Sequence, residues 1–147
     1  MNTATLDFIS IDNLIVPDTY LYIIEGEQGS GKTSAANNIH QQILANNPEF
    51  KVVYFSFPLL LQEFVECIKR NKSDLFKNHF DQYDLIILDD SQVMKGKPKT
   101  DEAFEKLIQS FLDRKKYVCI TVDKSLNSEL PFFKQLRLDN SFERILV

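Results

Sequence analysis

A glycine-rich segment over residues 26–33 (GEQGSGKT) has the residue types and the spacing of a phosphate-binding loop, GxxxxGK[ST]. Such a loop uses glycine because several backbone N–H groups must face one anion without side chains between them. The lysine of the pattern reaches the β- and γ-phosphates of a nucleoside triphosphate, and the hydroxyl after it is placed to ligate Mg²⁺. We therefore predict nucleotide binding by the following residues, the last of them also as a metal ligand: Gly26, Gly29, Ser30, Gly31, Lys32 and Thr33.

A pair of carboxylates follows an apolar run, LIIL, at residues 85–88. A triphosphate site needs one carboxylate to position Mg²⁺ and another group to orient the attacking water. We predict that Asp89 holds the Mg²⁺ shell, mostly through water, and that Asp90 acts as the general base. A strand that ends in a solvated acidic turn has the same pattern, so the prediction depends on the phosphate-binding loop in the same chain.

A third acidic group, Asp123, follows the apolar run at residues 117–122. If that strand lies between the strands that lead to the loop and to Asp89, its end faces the γ-phosphate, as in the ATPase branch of P-loop proteins. Asp90 and Asp123 are therefore the predicted catalytic residues. Polar residues are common at strand ends, and an ordinary solvated end is the alternative interpretation of Asp123.

The elements that must position these groups alternate between strand and helix. Short β-branched and aromatic runs predict strands, and apolar residues at helical spacing predict helices between them. The predicted strands lie at residues 20–25, 51–55, 83–88, 117–122 and 144–147, and the predicted helices at 32–44, 59–70 and 100–114, with a broken helical stretch at 126–138. Strands separated by helices of this length imply βαβ units. The predicted fold is therefore α/β: a three-layer αβα arrangement around a parallel five-stranded sheet, with a P-loop NTPase core.

The bulk composition is that of an ordinary globular protein. The chain has 147 residues, of which 44% are hydrophobic and 26% charged, and its formal net charge is −4. This length favours a single domain over residues 1–147, and the acidic balance excludes a chain-wide basic field for nucleic acid or membranes. Cys67 and Cys119 lack metal-ligand spacing and are typical of small buried hydrophobes in a reducing compartment. Because the chain shows neither a membrane-length apolar run nor a signal pattern, we expect a cytoplasmic protein with no membrane partner.

With these motifs established, the chain from Asn47 onward resembles the nucleotide-binding AAA+ domain of the bacterial initiator DnaA and its relative Hda. The resemblance implies ATP or ADP with Mg²⁺ as cofactors, Asp89 and Asp90 as the Walker B pair, and Asp123 as the sensor-one acid. The segments that carry it are residues 47–56 (NPEFKVVYFS), 62–72 (QEFVECIKRNK), 76–107 (FKNHFDQYDLIILDDSQVMKGKPKTDEAFEKL) and 120–124 (ITVDK).

A basic loop after the Walker B acids is part of the same resemblance. Lys97 and Lys99 match the loop that DnaA filaments use to contact single-stranded DNA. Two lysines without an aromatic stacking platform are more typical of an ordinary solvated loop. Contact with single-stranded DNA is therefore the weaker of the two interpretations.

The sequence departs from the family pattern at several places. Ser141 stands where the arginine finger is expected after the RL pair at residues 137–138. The sequence shows no lid subdomain with a sensor-two arginine and no DNA-binding helix-turn-helix, and residues 1–19 are short for the segment that frames adenine. A finger contributes about 10³- to 10⁵-fold to the rate where it operates. We therefore expect at most a weak ATPase and no AAA+ oligomer that works through arginine fingers.

The resemblance and its departures together favour a regulator of the initiation of DNA replication. Such a protein binds Mg-ATP or Mg-ADP with slow or no hydrolysis, and it acts on a replication partner such as DnaA, the sliding clamp or the replicative helicase. Residues 5–9 (TLDFI) loosely resemble a clamp-binding peptide, although a segment that packs on the sheet is the simpler interpretation. The alternatives are a DnaC-type helicase loader or transposition helper, a small-molecule kinase, and a degenerate interaction module that binds no nucleotide.

Overall fold

A computed structural model of the chain describes residues 16–27, 29–89, 98–123 and 140–147. Its strands form a single parallel sheet in the order β2-β3-β4-β1-β5. They are β1 (Leu21–Gly26), β2 (Val52–Ser56), β3 (Leu85–Asp89), β4 (Tyr117–Asp123) and β5 (Phe142–Leu146). β4 therefore lies between the strand that leads into the phosphate-binding loop and the strand that ends at Asp89, as the hypothesis for Asp123 requires.

Helices connect these strands and cover both faces of the sheet. In the described parts of the chain they are α1 (Lys32–Asn46), α2 (Phe57–Lys69), α3 (Ser73–His79), a 3-10 helix (Phe80–Gln82) and α4 (Pro98–Asp113). None of these helices has the length and apolarity that a lipid bilayer crossing needs. The predicted three-layer α/β fold with a parallel five-stranded sheet is confirmed.

The observed elements differ from the prediction mainly at two helices. α3 was not predicted, because seven residues are too few to show a helical period. α4 begins at Pro98 instead of residue 100, and the fixed φ angle of proline suits the first turn of a helix. The broken helical stretch predicted at residues 126–138 lies outside the described residues.

Among the described helices, α1 is the one that packs on one face of the sheet, and we call this face the α1 face. The helix packs there through short and branched side chains, because Ala35, Ala36, Ile39 and Ile43 are its buried residues. The sheet residues in this cluster are Tyr22, Ile24, Leu85, Ile87 and Cys119. Alanine at the first buried turn lets α1 lie close to the sheet, which holds the amino end of the helix beside the carboxyl end of β1.

The opposite face is covered by α2, α3 and α4, and we call it the aromatic face. Its core contains four buried phenylalanines: Phe64, Phe76, Phe80 and Phe111. The ring centroids are 5.1 Å apart for Phe64 and Phe76, 5.2 Å for Phe76 and Phe80, and 5.5 Å for Phe80 and Phe111. Tilted rings at these distances attract one another beyond the effect of their buried area. This face therefore forms the larger part of the apolar core.

Candidate nucleotide-binding site

The phosphate-binding loop joins β1 to α1 through a tight turn. Gly29 and Gly31 have φ angles of 81° and 103°, in the left-handed region that residues with a Cβ atom rarely adopt. The N–H of Ser30 donates to the carbonyl of Glu27 at 3.0 Å, which closes the turn. These two glycines are therefore required by the backbone conformation.

Gly26 is required for a different reason, because the end of β5 comes close to it. A Cβ atom on Gly26 would collide with Oγ of Ser30 in the loop, and it would lie 2.7 Å from Cγ2 of Val147 and 3.0 Å from the Val147 carbonyl oxygen. The N–H of Val147 also donates to the carbonyl of Glu25 at 2.9 Å. The first glycine of the loop thus permits close contact with the residue that follows β5.

The amino end of α1 faces the turn. Gly31 is its N-cap residue, no described side chain hydrogen-bonds to this end, and the first turn holds no acidic residue. The first N–H groups of a helix have no partner within the helix, and the helix dipole adds partial positive charge there. This combination favours an anion.

The ammonium group of Lys32 turns back over the loop. Its Nζ donates to the carbonyl of Gly26 at 3.2 Å and to the carbonyl of Glu27 at 2.9 Å. These contacts hold a positive charge beside the N–H groups of the turn. A phosphate in the loop would therefore meet both the backbone donors and the ammonium group.

Asp89 and Asp123 end two adjacent strands at the same edge of the sheet as the loop. Gly26 of β1 is in register with Asp123 of β4. Thr121, buried in β4, donates its hydroxyl to Oδ1 of Asp89. This hydrogen bond orients the Asp89 carboxylate next to the loop, and the side chains of Thr121 and Asp123 lie on one face because they are two residues apart in a strand.

Two weak acids on the α1 face have raised pKa values, chiefly because they are buried. Burial raises the pKa of the Cys119 thiol, and Asp89 raises it further. Burial also raises the pKa of Tyr54 to about 12, with smaller contributions from Cys119 and Asp89. The Tyr54 hydroxyl donates to Oδ1 of Asn37 in α1 at 2.7 Å. Tyr54 therefore stays neutral at ordinary pH and connects β2 to α1 beside the site.

The structure brings the described members of the predicted site to one edge of the sheet. The glycines, Ser30, Lys32 and Thr33 form the loop and the first turn of α1, and Asp89 and Asp123 lie beside them. Asp90 and Lys97 lie outside the described residues, and Lys99 lies in the first turn of α4. The base role of Asp90 and the DNA-contact hypothesis for the two lysines therefore stay predictions.

Two polar residues near the site did not figure among the predicted site residues. Thr121 gave a weak signal, because it lies two residues before Asp123 and hence on the same side of β4. Tyr54 gave none, because its contact with Asn37 joins a strand to a helix that precedes it in the chain.

Known proteins are similar to this chain in sequence and in fold. A family model of the bacterial DnaA ATPase domain matches residues 15–147. DnaA of Neisseria meningitidis serogroup C is 35% identical over 102 residues, which cover 69% of this chain and 20% of that protein. DnaA of Citrifermentans bemidjiense is 35% identical over 120 residues, which cover 82% of this chain and 26% of that protein. The chain thus spans about a fifth to a quarter of the length of these relatives.

Solved structures have the same architecture. Domain III of the Thermotoga maritima replication initiation protein DnaA aligns with a TM-score of 0.74 at 19% identity, covering 97% of this chain and 62% of that one. AMPPCP-bound DnaA from Aquifex aeolicus aligns with a TM-score of 0.68 at 22% identity, covering 97% and 45%. A DnaC helicase loader aligns with a TM-score of 0.69 at 18% identity, covering 98% and 89%. At these identities the likeness establishes the fold.

The sequence match and the strand order agree with each other. The family model extends over nearly the whole chain, and β4 is inserted between the loop strand and the Asp89 strand. The chain belongs to the bacterial DnaA ATPase-domain family and has its AAA+ fold.

Proposed function

We propose that residues 1–147 form one nucleotide-binding domain that takes Mg-ATP or Mg-ADP at the loop of residues 26–33. One observation carries this proposal: the Lys32 ammonium group lies over a turn whose glycines and helix end leave backbone N–H groups for an anion. The position of Asp89 at the adjacent strand end supports it. The AMPPCP complex of the Aquifex aeolicus DnaA supports an adenine nucleotide as the ligand.

The residues present fit a magnesium-bound triphosphate. The loop N–H groups would hold the phosphates, and Lys32 would exchange its carbonyl acceptors for phosphate oxygens. Thr33 at the start of α1 and Asp89, which Thr121 orients, would hold Mg²⁺ directly or through water. Mg²⁺ would neutralise charge on the β- and γ-phosphates.

Hydrolysis in this proposal is slow. Asp90 would orient water and Asp123 would sense the γ-phosphate, as their match to the family implies. Ser141, which stands in place of the finger arginine, is exposed just before β5. A serine cannot supply the cationic charge that a finger places on the transition state. The domain would therefore retain nucleotide longer than a motor does.

The biological role that this proposal assigns is regulatory. A domain that changes state with bound nucleotide and turns over slowly suits the control of replication initiation through DnaA, the sliding clamp or the replicative helicase. We place it in the cytoplasm with those partners. A helicase-loader role is the second candidate, because the DnaC loader fold covers most of both chains.

Calorimetric titration tests the nucleotide site directly. The protein is titrated with ATP and ADP, with and without Mg²⁺, alongside Lys32→Ala and the exposed-lysine control Lys69→Ala. Loss of a charge-assisted contact should weaken ATP binding in Lys32→Ala by roughly 10- to 100-fold, whereas Lys69→Ala should bind as the unsubstituted protein does. Absence of binding to the unsubstituted protein would favour the degenerate interaction module.

Two further measurements separate the functional alternatives. Phosphate release should be far slower than the turnover of about 1 s⁻¹ or more that is common for enzymes, and a rate of that size would contradict the regulatory hypothesis. Purified DnaA, sliding clamp and replicative helicase are then tested for capture by the ATP-bound protein. Capture of the helicase alone would favour the loader.

A further inference from the structure

An ion pair between a buried carboxylate and a half-exposed arginine lies directly before the phosphate-binding loop. Nε of Arg144 in β5 donates to Oε2 of Glu25 at 2.5 Å, and Nη2 of Arg144 donates to Oε1 of Glu25 at 3.2 Å. The Glu25 side chain is 3% exposed, whereas that of Arg144 is 51% exposed. The two-pronged contact is the strong geometry for an arginine and a carboxylate.

Glu25 occupies the position where β1 passes into the loop. It is the last residue before Gly26, and its own carbonyl accepts the N–H of Val147. Gly26 in turn lies against Val147. The side chain of Glu25, its carbonyl and Gly26 thus all contact β5 or the residue that follows it.

Because the Glu25 side chain is buried, its position depends on the contact with Arg144. A carboxylate out of water is strongly disfavoured unless a charge partner and hydrogen bonds replace its hydration. If Arg144 is removed, Glu25 must turn toward water, and the adjacent backbone must move with it. The carbonyls that would be displaced first are those of Gly26 and Glu27, which hold the Lys32 ammonium group.

We propose that Arg144 is a positioning residue of the phosphate-binding loop: by pairing with Glu25 it fixes the backbone of Gly26 and Glu27, and with it the place of Lys32. Neither residue belongs to the P-loop pattern or to the strand-end acids. The role in nucleotide affinity rests on the proposed function, whereas the role in loop geometry does not.

The small number of glycines provides a ligand-free test. The chain has 4 glycines, of which Gly26, Gly29 and Gly31 lie in the loop and Gly96 serves as an internal reference. In protein labelled with ¹⁵N-glycine, Arg144→Met and the charge-retaining Arg144→Lys should shift the three loop signals. Arg114→Met is the matched control. It breaks an exposed pair between Arg114 and Asp81, which lies before the amino ends of β3 and β4 and therefore away from the loop.

The outcomes of the labelling experiment decide the geometric claim. Loop signals that stay in place in Arg144→Lys, or that shift equally in Arg114→Met, would overturn it. If Arg144→Met does not fold, Arg144→Lys alone is the test variant, because it keeps the positive charge and loses the bidentate geometry of the guanidinium group.

Affinity provides the functional readout at a temperature where all variants are folded. Mg-ATP should bind about tenfold more weakly to Arg144→Lys, because small misplacements of positioning groups have large effects on binding and reaction, and Arg114→Met should bind normally. Equal affinity of both variants would remove Arg144 from the nucleotide site. If the unsubstituted protein binds no nucleotide, the proposed function fails, and the glycine signals still decide whether Arg144 positions the loop.

Discussion

The two faces of the sheet are built from different side chains. The α1 face combines two alanines and two isoleucines of the helix with mostly branched apolar residues of the sheet. The aromatic face contains four buried phenylalanines, which come from α2, α3, the 3-10 helix and α4. On the α1 face, the buried Ala35 and Ala36 let the amino end of α1 lie close to the carboxyl end of β1. The aromatic face has no such requirement and contributes buried apolar area.

This contrast separates stability from binding. Substitutions on the aromatic face should change the free energy of unfolding and leave the geometry of the loop intact. Substitutions on the α1 face should change both, because α1 carries the first turn that contacts the ligand.

The largest expected effect comes from Phe80→Ala on the aromatic face. Phe80 is 1% exposed and lies between the rings of Phe76 and Phe111. Its truncation should lower the free energy of unfolding by about 3–5 kcal/mol, measured by urea denaturation. ATP affinity, measured at low temperature on folded protein, should be unchanged. A parallel loss of affinity would show that the two faces are not independent.

Ala36→Leu on the α1 face should lower both the free energy of unfolding and the affinity for ATP. Ala36 is 1% exposed, so a larger side chain must push α1 away from the sheet, at about 1–3 kcal/mol of stability. The amino end of the helix moves with it, and ATP affinity should fall as well. The matched control is Ala45→Leu, on the exposed side of the same helix, which should change neither quantity. Normal ATP affinity in Ala36→Leu would contradict the coupling.

Thr121→Val tests the hydrogen bond that orients Asp89. The shapes of the two residues are similar, so the substitution removes the hydroxyl that donates to the carboxylate, with an expected loss of about 1–2 kcal/mol in stability. The increase in ATP affinity that Mg²⁺ produces should become smaller. Thr121→Ser keeps the hydroxyl and should retain that increase. An unchanged Mg²⁺ effect in Thr121→Val would show that Asp89 needs no such partner.

The smallest effect concerns alkaline pH and the tyrosines of the α1 face. Burial raises the pKa of Tyr54 from 10.0 to about 12, and it raises those of Tyr22 and Tyr117 on the same face. The folded protein therefore binds these protons more tightly than the unfolded chain does. Their contribution to stability is complete below pH 10 and is lost as the pH rises through the raised values.

The measurement is the free energy of unfolding as a function of pH above 10 for the unsubstituted protein and Tyr54→Phe. The substitution should make the decline less steep, because one titrating group is gone. Identical slopes in the two proteins would exclude Tyr54 as a contributor.

Sequence reasoning reached the loop and the strand-end acids because each depends on neighbours in the chain. The loop pattern fixes a strand before it and a helix after it, and β1 and α1 are where this requires. The insertion of β4 between β1 and β3 could be stated only as a condition, because strand order depends on contacts between distant segments.

Long-range contacts were beyond prediction for the same reason. Arg144 lies 119 residues after Glu25, and neither residue belongs to a recognised pattern. The strand predicted at residues 144–147 was found as Phe142–Leu146, because its register is set by pairing with β1 and not by its own four apolar-rich residues. α3 escaped prediction because it is short.

The carbonyl contacts of Lys32 bear on how its contribution to affinity should be understood. Its ammonium group already has two acceptors within the loop, so binding a phosphate is an exchange of acceptors and not a gain from bare solvent. The affinity lost in Lys32→Ala then reports the difference between a phosphate and two carbonyls. That difference is smaller than the attraction between lysine and phosphate itself, and a modest loss is compatible with a strong contact.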